Sequence, residues 1–212
     1  PDVALALHER STEEQISLLS ADAIDLAFIR LPIENAPDSL TFRSILREPL
    51  VLAMPQGHRF GRQRTVALKA LADEPFILMP RHAAPGLHDQ IHAVCRRAGF
   101  TPTVTQEAVQ MQTIISLVSA GLGIAIVPAS IRRLQREQVL YRPLTNVSAT
   151  TEMAVAYDRR NNSAVLDSFL AVVERVQITS ATPADDVRAK AEAVRVRTSL
   201  NAALRTAPKR RP

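Results

Sequence analysis

His88 and His92 stand four residues apart in the stretch HDQIH. On a helix that spacing puts two imidazoles on one face, as in the metal-binding helix of zinc proteases. The acid after the first histidine is Asp89, one methylene shorter than the usual glutamate, and no third ligand is evident. Two surface histidines are the simpler reading, and neither a metal nor a cofactor is expected. Cys95 is the only cysteine, so no internal disulfide can form. A reducing, cytoplasmic setting fits that count. A core or half-buried thiol suits its helix better than a nucleophile does. GLGIAI, from Gly121, lacks the third glycine of a dinucleotide turn and follows a helix rather than a strand. The sequence has no G-x-S-x-G and no P-loop. Without a coherent nucleophile, base or metal set, the chain is not expected to be an enzyme.

The elements that would carry binding groups are easier to trace. Val3–Leu7 alternates apolar and small residues and reads as a strand. Ser11 or Thr12 can cap a helix with Glu13 and Glu14 in its first turn, where the helix dipole favours acids. IDLAFIRL, residues 24–31, suits a strand buried on both faces, which makes the first 31 residues a βαβ unit. Leu50–Met54 is another buried strand, broken at Pro55-Gln56-Gly57. A short helix and a strand lead to Pro80, and a loop leads to a helix over 87–98 ended by Gly99. TPTVTQEA, VLYRPL and TEMAVAYDR are strands, and SAVLDSFLAVVERV has helical spacing. Strands alternate with helices, so an α/β fold with largely parallel sheets is expected.

Val109–Ser130 carries no charged residue over a length that could cross a bilayer. Gly121, Gly123, Pro128 and regularly placed polar residues interrupt it. It reads as a helix, a glycine cap and a buried strand, not a membrane span. The start of that helix follows a strand, where free N–H groups and the positive dipole end suit an anionic small molecule.

The formal charge of +5 is unevenly spread. Residues 178–212 hold eight Lys/Arg against three Asp/Glu, which accounts for all of it. The body is neutral by count, so the high pI is no footprint of nucleic-acid binding by the body. The tail lacks a broad apolar face and is expected to be mobile or loosely docked.

DLAFIRLP, LREPLVLAMPQGHRF, LADEPFILMPRHAAPGLHDQI, RRAGFTPTVTQEAVQMQTIISLVSAGLGIAIVPAS and VLYRPL occur in that order. Together they resemble the effector-binding domain of LysR-type transcriptional regulators, most of all the branch responding to aromatic compounds, over about residues 1–177. The resemblance implies a fold like periplasmic binding proteins, with two α/β subdomains joined by two crossing strands around a ligand cleft. The first subdomain would be residues 1–46 plus 151–177 and the second 47–150. It also implies an N-terminal winged helix-turn-helix and assembly as dimers or tetramers. Those DNA-binding elements, and the first strand and helix of the effector domain, would precede Pro1, so the chain reads as cut from something longer. DNA would be a partner only through that missing part, and no membrane partner is expected.

The resemblance also implies site residues. Ser11 and Thr12 match a polar turn that would offer hydroxyl and N–H groups to a carboxylate, besides simple capping. Arg30, at the end of DLAFIR, is a candidate for bidentate carboxylate binding, against an ordinary surface pair with Glu34. Pro85, Gly86 and Leu87 match a loop facing the cleft, with Gly86 allowing close backbone approach. Gln110 and Met111 match the start of the helix in the uncharged stretch. The function implied is a sensor of a small organic acid, aromatic or unsaturated, that modulates DNA binding. The rival of another class is a transport-type solute-binding protein of the same fold.

Overall fold

The computed structural model describes residues 3–175. They fall into two units, Arg10–Asn161 and a second made of 3–9 with 162–175. The basic tail beyond residue 177 lies outside the described residues.

The larger unit begins with helix α1, Thr12–Ser20, and strand β1, Ala27–Leu31. The 16-residue strand β2, Leu40–Pro55, follows. Next come β3 (Val66–Ala67), a 3₁₀ turn, β4 (Pro75–Leu78) and helix α2 (Pro85–Arg97). Then come β5 (Thr103–Glu107), α3 (Met111–Ser119) and β6 (Ala125–Pro128). After a second 3₁₀ turn the unit ends on β7 (Val139–Thr145) and β8 (Thr150–Asp158).

One sheet runs in the order β1-β8-β2-β7-β3, with β6 also on β2. The two long strands organise it. Residues 40–49 of β2 pair with β8, and residues 50–55 pair with β6 and β7. These pairings and β1–β8 are antiparallel. Among the described residues only β3–β7 and β4–β5 pair as parallel strands. The expectation of largely parallel sheets is therefore corrected. Alternation of helix and strand sets the order of elements, whereas strand direction depends on how β2 and β8 meet across the sheet.

Residues 50–54 are buried on both faces, and the strand period of two divides them. Leu50, Leu52 and Met54 join the core that holds Leu87, Ile91, Val94 and Cys95 of α2. Val51 and Ala53 join the core that holds Ile114, Ile115 and Val118 of α3. Ile124 and Ile126 split from Ala125 and Val127 in the same way. This region is thus sheet between two helices. A third core sets Leu19 of α1 against Ala27, Ile29, Leu40, Ala154 and Ala156.

β1 is half-buried, not buried on both faces: Ala27 and Ile29 point inward while Phe28 is 45% exposed. Gly121, with φ +78°, takes the left-handed conformation after α3, as the glycine cap requires. Gly123 lets the chain pass Pro75, whose carbonyl oxygen would lie 2.5 Å from an added β-carbon.

In the second unit, residues 3–9 form no strand, and Val3, Leu5 and Leu7 are 52%, 69% and 88% exposed. The expected first strand, and the βαβ unit with it, are absent there. Alternation assigns two faces to a segment but supplies no neighbour for its N–H and C=O groups. Helix α4 spans Ala164–Arg175, with Leu166 and Leu170 buried and Val165 exposed.

Candidate functional site

A cleft of about 780 Å³ opens between α1 and α2. One wall is Thr12, Glu13, Ile16 and Ser17 with the turn Pro32–Asn35. These helix positions recur at i and i+4, so one face of α1 supplies them. The opposite wall is Pro85, Gly86, Asp89, Gln90, Ala93 and Arg97 of α2, with Arg81 and Ser148–Thr150. The other face of α2 carries Leu87, Ile91, Val94 and Cys95 into the core. Helical periodicity thus makes α2 both a core element and a cleft wall.

The start of α1 is tightly specified. Ser11 Oγ accepts the Glu14 N–H at 3.3 Å, and the Ser11 N–H donates to Glu14 Oε2 at 2.9 Å, a reciprocal capping box. The backbone N–H of Ser11, and then its hydroxyl, hold the Glu14 carboxyl below its ordinary pKa. Ser11 is therefore engaged by its own helix, and Thr12 is the member of the pair that lines the cleft.

Gly86 does permit a close approach, but to the chain itself. A β-carbon there would lie 2.6 Å from the carbonyl oxygen of Pro32. Arg81 grips Asp89 with Nε at 2.9 and 3.0 Å and Nη2 at 2.7 Å. That grip is the main cause of an Asp89 pKa lowered to about 2. The same guanidinium reaches Glu34 on the facing wall at 3.6 Å. Gln90 Nε2 donates to the Thr150 carbonyl at 2.7 Å, while its buried Oε1 has no hydrogen-bond partner among the described residues. The side chains of Glu13 and Arg97 line the cleft and have no ion-pair partner among the described residues.

Several sequence-predicted residues lie elsewhere. Arg30 does not line the cleft: Nη2 donates to Glu48 Oε1 at 3.2 Å and Nη1 to Thr151 Oγ1 at 3.4 Å. Its partner is this buried carboxylate, not Glu34. Leu87 is buried in the core, and Met111 packs against both clusters around β2. Gln110 is the exposed residue before α3. Pro85, Gly86 and Thr12 are the predicted residues that the cleft brings together. Glu13, Glu34, Arg81, Asp89, Gln90 and Arg97 also line it but were not predicted as ligand contacts. The 86/89/90/93/97 spacing on one helix face was the available signal.

The imidazoles of His88 and His92 stack with ring centroids 4.3 Å apart, and His88 Nδ1 lies 3.1 Å from Asp89 Oδ1. No three His, Cys, Asp or Glu side chains converge on a metal position among the described residues. Burial pushes the Cys95 thiol up to about 11, which disfavours the nucleophilic thiolate. No described helix is long and apolar enough to cross a membrane.

The chain is 37% identical over 161 residues to the uncharacterized HTH-type transcriptional regulator YnfL of Escherichia coli (strain K12), covering 76% of this chain and 54% of that protein. It is 34% identical over 170 residues to the HTH-type transcriptional regulator BudR of Raoultella terrigena, covering 80% and 58%. It therefore spans little more than half the length of these relatives, both named as regulators rather than enzymes. Among solved structures, the BenM effector binding domain with its effector benzoate superimposes with a TM-score of 0.68 at 27% identity, covering 80% of this chain and 76% of that one. The fold is that of this group: mixed α/β, like periplasmic binding proteins. With the LysR substrate binding domain model matching residues 1–177, the chain belongs to the LysR substrate-binding domain family.

Proposed function

We infer that the chain is the effector-sensing part of a cytoplasmic transcriptional regulator and catalyses nothing itself. A small organic acid, aromatic or unsaturated, enters the cleft between α1 and α2. Thr12, Pro85 and Gly86 contact it. It biases the angle between two subdomains that pivot on β2 and β8. That bias is a population shift, passed to DNA-binding domains of a homo-oligomeric parent protein. One observation carries the reading: the 780 Å³ cleft sets two separate helices face to face, with the Arg97 guanidinium on its wall and no ion-pair partner for it among the described residues. The benzoate effector of BenM supports the ligand class, and the relatives named as regulators favour this reading over a transport-type binding protein.

Thermal unfolding of the chain with benzoate, cis,cis-muconate, shikimate, a sugar and an amino acid tests it. A ligand of the native state stabilises by RT ln(1 + [L]/Kd), about 2.7 kcal/mol at a hundredfold excess over Kd. An upward shift with an acid, and none with the sugar, is expected. Cooperative melting without a shift from any carboxylate, the amino acid included, rejects the acid-sensing reading.

A further inference from the structure

Resting on that reading, we propose that the acid sensed in the α1/α2 cleft also carries an ammonium group: a small amino acid, held by Arg97 at its carboxylate and by Glu13 at its amine.

The charges of the cleft support this class. Three carboxylates line it, Glu13, Glu34 and Asp89, against two guanidiniums, Arg81 and Arg97. Arg81 is spent on Asp89 through three contacts of 2.7–3.0 Å and also faces Glu34. What remains without a partner among the described residues is one cation on α2 and one carboxylate on α1. A dicarboxylate would bring two negative charges to a cleft lined by three carboxylates and two guanidiniums, one of them already held by Asp89. A monocarboxylate would satisfy Arg97 and leave Glu13 without a counter-ion. A zwitterion complements both. Ile16, Ile33, Pro32 and Ala93 leave an apolar flank for the side chain.

Helix dipoles alone explain an acid in the first turn of α1 and a base in the last turn of α2. They do not explain why both face one cleft while the neighbouring Arg81 and Asp89 pair with each other.

Calorimetric titration of the chain separates the cases. The probes are L-phenylalanine, 3-phenylpropanoate and phenethylamine, which share a frame and carry both charges, the carboxylate only and the ammonium only. L-leucine, 4-methylpentanoate and 3-methylbutylamine repeat the set on an aliphatic frame, and maleate serves as the dicarboxylate. On at least one frame the amino acid should bind at least tenfold more tightly than either truncated form, with maleate weaker. Glu13→Gln should abolish the preference over the des-amino acid, and Arg97→Gln the preference over the amine. Both positions are exposed on helices, so the variants should fold. If a des-amino acid or maleate binds as tightly as the amino acids, the zwitterion inference falls and acid sensing stands. An unchanged preference in Glu13→Gln also overturns it. If only the amines bind, or nothing does, acid sensing falls too.

Discussion

Glu48 and Ser130 are joined twice: the Glu48 carboxylate accepts the Ser130 hydroxyl at 3.0 Å and also the Ser130 backbone N–H. Glu48 is only 3% exposed and stands opposite Thr151 where β2 and β8 cross. Arg30 completes the cluster from β1. The sheet edge at β1 and the turn after β6 thus meet on one carboxylate.

Removing that carboxylate should be expensive. Glu48→Ala leaves a part-buried guanidinium and an N–H without their acceptor, and loss of about 3–5 kcal/mol is expected in urea unfolding at constant slope. Glu48→Gln can still accept from Ser130 and should lose less, about 1–3 kcal/mol. It also removes the negative charge that holds Arg30. Amino acid or acid affinity should stay unchanged in Glu48→Gln, because Arg30 belongs to the scaffold; tighter carboxylate binding would return Arg30 to the site.

Gly86→Ala should destabilise the chain by about 1–3 kcal/mol, the cost of forcing atoms into a packed contact. The obstacle is the Pro32 carbonyl, which is backbone and cannot rotate away. Gly57→Ala is the control, since nothing lies within 4 Å of its added β-carbon. Equal melting temperatures for the two variants would show that α2 can shift off Pro32 at no cost.

His92 should make the chain weaken in mild acid. Burial, then the nearby His88 and Arg96, lower its pKa, with Asp89 opposing. A base whose folded pKa is depressed binds protons more readily when unfolded. Its contribution is therefore intact above its unfolded value near pH 6.5 and is lost as pH falls below that. The melting temperature should drop between pH 7.5 and 5.5, and the drop should be smaller in His92→Gln. An equal drop in both proteins would assign the acid sensitivity to other groups.

Much was legible in the chain because periodicity and capping are local. Ser11 with Glu14 announces the start of α1, and Gly121 with Gly123 splits the uncharged stretch into α3 and β6. The residues around 50–54 announce a strand buried on both faces. Leu87 shows where such reasoning stops. It belongs to a predicted site segment, yet the helical period turns it to the core while Gly86 and Gln90 face the cleft.

The sequence by itself determined most of the helices and strands between residues 10 and 175, since 3.6- and 2-residue periods are written in neighbouring positions. It could not determine which distant segments meet. Only the tertiary structure decided that β2 and β8 run antiparallel, that residues 3–9 form no strand, that Arg30 faces Glu48, and that Glu13 and Arg97 share a cleft. Those outcomes depend on chain closure, and a charge carries no local mark of the partner that closure brings.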